Sequence, residues 1–117
     1  MDAQQVNFAV AEESVGAVSV VSVTGAIDML TAPQLAEAIR AALAKQPSAV
    51  VVNLTEVDFL ASAGMQVLVA ANEEAGGTRL VVAAEGPATS RPLKITGITD
   101  FIDVFPTLDE ALENVTV

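Results

Sequence analysis

The sequence predicts a single α/β domain on a mixed, mostly parallel sheet, with about four helices in the order β β α β α β α β α. Three observations predict it. Short valine-rich runs alternate with segments of helical period. Glycine, proline or a small hydroxyl residue marks most changeovers. The 117 residues are 52% hydrophobic, enough for one core without disulfide or metal staples.

Taken in order, "VNFAVAEE", a Gly16 turn and "AVSVVSVTG" read as a hairpin. Its second strand becomes continuously apolar, which suits a central position in the sheet. In "GAIDMLTAPQLAEAIRAALAKQ" the period changes. Leu35, Ile39, Ala42 and Leu43 fall at i, i+4, i+7 and i+8, an amphipathic helix. Thr31 is placed as its N-cap, with Gln34 completing a capping-box pattern. Pro33 lies in the first turn, where the missing N–H costs nothing.

In "SAVVVNLTEVDF", the consecutive Val50, Val51 and Val52 predict a strand buried on both faces. A helix follows from about Ser62, with Met65, Leu68, Val69 and Asn72 on one stripe, and stops before Gly76-Gly77. "TRLVVAAE" is a strand. "GPATSRPLKITG" holds a short helix starting near Ser90, since Pro92 belongs near its beginning, and ending at Gly97. "DFIDVF" is a short strand, and "PTLDEALENV" a last helix with Pro106 and Thr107 at its start. The chain shows no internal repeat, linker or low-complexity segment, so the domain is taken as 1–117 with a core of about 6–112.

Composition excludes several classes of function. There is no Cys and no His, which removes thiol nucleophiles, Cys/His zinc sites and imidazole acid–base chemistry. The net charge of −10 argues against direct nucleic-acid binding, which needs a basic footprint. Arg40, Lys45, Arg79, Arg91 and Lys94 form no cluster in sequence. An acidic surface favours a basic partner. "MDAQQVNFAVAEE" lacks the basic start and apolar core of a signal peptide. No apolar run approaches the roughly 18 to 20 residues that span a bilayer. A soluble, cytoplasmic protein without membrane association is expected.

Nucleotide fingerprints and nucleophile elbows are absent from the sequence. Glu56 and Asp58 stand two apart near a strand end, so both could face one side. Such a pair could do acid–base work or bind a cation. Solvation of the strand end is the preferred reading of the pair, and "NEE" at 72–74 reads as a polar helix end. That leaves Ser62 in "FLASAGM". Ala61, Ala63 and Gly64 leave its hydroxyl sterically open and permit close backbone approach. Free N–H groups and the macrodipole at a helix start welcome negative charge. Phosphorylation there would add about −1.5 to −2 charges without requiring the fold to change. Serine is also a favoured N-cap, worth about 0.5–2 kcal/mol against Ala. Capping and switching are compatible.

Three segments together resemble the STAS domain family, most closely its stand-alone bacterial anti-sigma factor antagonists. They are "VTGAIDMLTAPQLAEAI", "VVVNLTEVDFLASAGMQVLV" and "GGTRLVVAAEGPATSRPLKITGITDFIDVFPTLDEAL", in the family's order and spacing. The resemblance runs from about Val6 to Leu112. It implies a STAS-type fold and a non-enzymatic protein without a cofactor of its own. Its partners would be an anti-sigma factor with serine kinase activity and a serine phosphatase. Binding would free the sigma factor, and phosphorylation of the antagonist would end the complex. Ser62 matches the phosphoacceptor of the family's Asp-Ser-Ser/Thr-Gly motif, and Gly64 its glycine. Gly25 and Asp28 match the Gly-Glu-Ile/Leu-Asp element near the partner face. Ala61 and Ala63 depart from the usual Asp and Ser/Thr, and Pro92 from a longer helix.

The partner surface is therefore expected to include Asp28, Ala61, Ser62, Ala63, Gly64 and Met65. Gly64→Arg is expected to block binding more than it harms stability. Two other readings stand beside this one. A STAS subunit without a phosphoswitch could serve a transporter or stress-sensing assembly. An enzyme could use Glu56 and Asp58.

Overall fold

Consecutive valines put apolar side chains on both faces of a strand, and the chain covers the two faces unequally. The computed structural model describes residues 8–116. Val6 and Asn7, expected to begin the first strand, lie outside the described residues. The strands are β1 (Phe8–Val15), β2 (Val18–Ile27), β3 (Ala49–Leu60), β4 (Arg79–Ala83) and β5 (Asp103–Phe105). The helices are α1 (Ala32–Ala44), α2 (Ser62–Glu74), α3 (Ser90–Ile95) and α4 (Leu108–Val115). A single 3-10 turn, Ile98–Asp100, precedes β5. The sequence reading had merged that turn with its neighbours, and placed the start of the last strand three residues early. Gly97, at φ 82°, separates the turn from α3.

The strands lie side by side in chain order, β1 antiparallel to β2 and the rest parallel. Gly16, at φ 61°, makes the tight hairpin turn that starts this arrangement. β2 is an interior strand, paired with β1 and β3. Val50, Val51 and Val52 are all 0% exposed, so β3 is covered on both faces.

Alternation divides the strands between two cores. Val21, Val23, Val50, Val52, Leu80 and Val82 face α1, α2 and Leu93 of α3. Val18, Val20, Ala49, Val51, Val81 and Ala83 face α4 through Ala111, Leu108 and Leu112. Each fully buried valine or leucine contributes about 1.5–3 kcal/mol relative to exposure. α4 begins as the sequence suggested, with the Thr107 hydroxyl accepting from Glu110 N at 3.1 Å. Among the described residues, no helix is long and apolar enough to cross a membrane.

The α1 start differs from the capping box. Thr31 does hold the N-cap position, but its side chain makes no cap bond. Its hydroxyl donates instead to Ala26 O at 2.9 Å. The Asp28 carboxylate takes over, accepting from Leu30 N at 2.9 Å and Thr31 N at 3.0 Å. An aspartate-initiated turn thus replaces the threonine cap. The C-terminal end of α1 is tied to the edge strand. Lys45 Nζ donates to Glu12 Oε1 at 2.9 Å, and the Ser19 hydroxyl donates to Glu12 Oε2 at 3.1 Å.

These donors make a prediction about acid. The Lys45 bond, aided by Ser19, holds the Glu12 carboxyl below its ordinary value of 4.5, against burial, which pushes it up. A folded pKa below the unfolded one stabilises the protein above the unfolded value. That stability is lost as pH falls through the folded value. Glu12→Gln should therefore melt below the unmodified protein at pH 7. The gap should close as pH falls below 4.5, which a melting series against pH would read.

Candidate functional site

Two chain crossings at the C-terminal edge of the parallel pair build the site. β2 leaves the sheet at Ile27 into the Asp28 turn, and β3 leaves at Leu60 into α2. β3 reaches this edge with two more residues than β2, taken up by register shifts between Ser22 and Thr24 and between Gly25 and Ala26. Gly25, at φ 91°, adopts the backbone geometry the second shift needs. Ile27 and Leu60 end as partners.

One further bond extends this pairing. Ala61 N donates to Ile27 O at 2.9 Å, holding Ala61 extended at φ −86°, ψ 170°. Ala61 is therefore the N-cap of α2, and Ser62 is its first helical residue. The capping reading of Ser62 is corrected on this point. No side chain caps α2, and the exposed Ser62 hydroxyl makes no hydrogen bond among the described residues. Gly64 N and Met65 N bond Ala61 O at 3.0 and 3.2 Å. The amides of Ser62 and Ala63 bind no acceptor among the described residues.

Gly64 is buried and turned inward. A Cβ added there would lie 2.5 Å from Ile27 Cγ2 and 2.7 Å from Leu60 Cδ1. Its backbone angle is ordinary for a helix; the space is what excludes a side chain. Gly64→Arg, expected to block binding more than it harms stability, therefore carries a direct packing cost inside the fold. The inward stripe of α2 is Gly64, Leu68 and Ala71. Met65 and Val69, placed on that stripe from the sequence, lie half-buried beside it.

Asp28 lies half-buried on the neighbouring turn. Hydrogen bonds from Thr31 N, and then Leu30 N, hold its carboxyl below the ordinary aspartate value. Asp28 N donates in turn to Thr31 Oγ1 at 2.9 Å. The carboxylate is thus occupied in shaping its own loop. Ser62 and Met65 open onto a groove of about 430 Å³ that continues along Val69 to Ile98 and Phe101. The Thr96 hydroxyl, which donates to Pro92 O at 2.8 Å, lies 3.6 Å from Met65 Sδ.

The structure thus brings the Asp28 turn, Ala61, Ser62, Ala63 and Met65 to one end of the sheet, with Gly64 beneath. Glu56 and Asp58 are exposed along the outgoing strand. Sequence reasoning missed the exposed apolar residues around the site, notably Met29 and Leu30, and Phe59 at the end of β3. The Asp-x-x-Thr spacing at 28–31 was the available signal for the turn that carries the first two.

Residues 9–111 match the STAS domain model, and the chain belongs to the STAS domain family. It is 39% identical over 99 residues to the anti-sigma-F factor antagonist RsfB of Mycobacterium tuberculosis, covering 84% of this chain and 81% of that protein. An anti-sigma factor antagonist from Mycobacterium paratuberculosis superposes with a TM-score of 0.91 at 45% identity, covering 94% of this chain and 95% of that one. The antagonist SpoIIAA in its unphosphorylated form shares the fold at 20% identity, with a TM-score of 0.75 over 92% of this chain and 96% of that one.

Gly64→Ala should destabilise the protein by about 1–3 kcal/mol through overpacking against Ile27 and Leu60. The intrinsic helix gain of alanine, about 1 kcal/mol, offsets part of that. Urea unfolding is expected to show a lower midpoint with an unchanged slope.

Proposed function

We propose that this chain is an anti-sigma factor antagonist. It binds an anti-sigma factor that is also a serine kinase, so that the sigma factor is set free. Phosphorylation of Ser62 by that kinase ends the complex, and a serine phosphatase restores the active form. The observation that carries the reading is the Ser62 hydroxyl, exposed and without a hydrogen bond among the described residues, at the first position of α2. Two open amides and the positive end of the helix dipole lie beside it. A phosphate is accommodated there with no change in fold. The similarity to RsfB and to the Mycobacterium paratuberculosis antagonist supports the class of partner. The ATP belongs to that partner, and the activity takes place in the cytoplasm.

The partner surface is the end of the sheet that carries Asp28, Ala61, Ser62, Ala63 and Met65. Gly64 serves it from below, by letting α2 sit close to β2. The switch acts by meeting the docked partner with a new anion. A desolvated, unpaired charge of this kind costs about 3–4 kcal/mol, and each 1.4 kcal/mol is tenfold in affinity.

A second reading has one specific observation in its favour. Ala61 and Ala63 leave no side-chain carboxylate or hydroxyl next to Ser62 to orient it. On that reading the same surface binds its partner without a phosphoswitch. Affinity for the purified anti-sigma-F factor of Mycobacterium tuberculosis, with ATP omitted, separates the two. Ser62→Ala should bind like the unmodified protein, and Ser62→Glu about a hundredfold more weakly or worse. Equal binding by all three would leave the antagonist and remove the switch.

A further inference from the structure

Among the described residues six large apolar side chains are exposed, and the two most exposed are adjacent: Met29 at 76% and Leu30 at 81%. They sit at the tip of the Asp28 turn, and that turn is unusually well tied. Asp28 N donates to Thr31 Oγ1 at 2.9 Å, and Asp28 Oδ1 accepts from Leu30 N and Thr31 N. The Thr31 hydroxyl donates to Ala26 O, and Ala32 N donates to Asp28 O at 2.8 Å. The loop thus holds two apolar side chains out in water on a fixed backbone. Such a projection saves ordering cost when it enters a pocket. Exposed apolar residues that adjoin one another mark interaction surfaces.

The surroundings say what kind of pocket. β2 runs into the turn with β3 alongside, where Phe59, 53% exposed, pairs with Ala26. Glu56 and Asp58 lie on the same stretch of β3. Neither 24–35 nor 54–65 contains a Lys or Arg. The projection is therefore apolar at its tip and acidic at its base. Its complement is an apolar pocket rimmed by basic residues.

We infer that Met29 and Leu30 form a preorganised knob that enters such a pocket on the anti-sigma partner and sets which partner this chain accepts. Asp28 and Thr31 act as positioning residues for it. The inference rests on the antagonist reading above and adds a specificity element outside the serine loop.

The test is the affinity of the full chain for the purified Mycobacterium tuberculosis anti-sigma-F factor, at low and high salt, with melting curves to verify folding. Met29→Ser and Leu30→Ser should each weaken binding about tenfold or more, since hot-spot truncations reach that size. Val15→Ser, an exposed apolar change at the hairpin turn, should not. Thr31→Val should weaken binding, and Thr31→Ser, which keeps the hydroxyl, should restore it. Affinity should fall with salt.

Unchanged affinity in both knob variants would overturn the inference while leaving the antagonist reading intact. An equal loss in Val15→Ser would overturn it too, as general surface stickiness. If sedimentation shows a dimer that Leu30→Ser abolishes, the occupant is a second copy and the partner pocket is refuted. Failure of the unmodified protein to bind would take down the antagonist reading and the knob together.

Discussion

The junction of Ile27, Leu60 and Gly64 is the contact on which the functional end of this protein depends. β2 and β3 finish level there, and the Ala61 N–H to Ile27 carbonyl bond carries the pairing one residue beyond the strand. α2 can then turn back over the sheet only if its third residue has no side chain, because Ile27 and Leu60 already fill that space. The same bond decides which residue caps the helix. It holds Ala61 extended and leaves Ser62 as the first helical residue with nothing to do inside the fold. An accessible hydroxyl next to open amides is thus a by-product of strand pairing.

The two loops of the site are coupled through this junction. Ile27 touches the α2 start and is followed at once by the Asp28 turn, so the serine and the aspartate are held by one set of contacts. Asp28 contributes by organising backbone, with its carboxylate spent on Leu30 and Thr31. Its low pKa reports those donors. Glu56 and Asp58 are exposed along the outer run of β3. Their negative charge serves the field around the surface.

Most of the architecture was legible because it follows from period and punctuation. The Val50–Val52 run could only be covered on both faces, and the Leu35–Ile39–Ala42 spacing could only make one helical face. Gly76, Gly97 and Thr107 stood where their elements end or begin. What was not legible lay in tertiary contacts. Thr31 has the composition of a cap, but the Ala26 carbonyl claims its hydroxyl. Ser62 has the same composition and lost the cap position to Ala61 through a bond from another strand. Gly64 was read as open because it is small; it is small because the space is full. The exposure of Met29 and Leu30 was hidden because an apolar residue after a strand usually points inward. The overall resemblance to STAS proteins survived these local errors because it rested on three long segments in order.

The unequal cover of the sheet has a consequence for how the molecule comes apart. One face is sealed by α1, α2 and α3, while α4, eight residues long, covers the core of the other. α4 is fastened by the Thr107 cap, by Ala111 and its apolar neighbours, and by Arg79 Nη1 donating to Asn114 O at 3.1 Å. A helix of eight residues held by these few contacts opens at a fraction of the global free energy. When it lifts, Val18, Val20, Val51 and Val81 meet water as one flat valine surface, with the strands still paired beneath. The end that carries the serine stays ordered in that state, since its contacts lie on the other face. The hazard of self-association therefore resides at α4, on the face of the sheet opposite α2 and its serine.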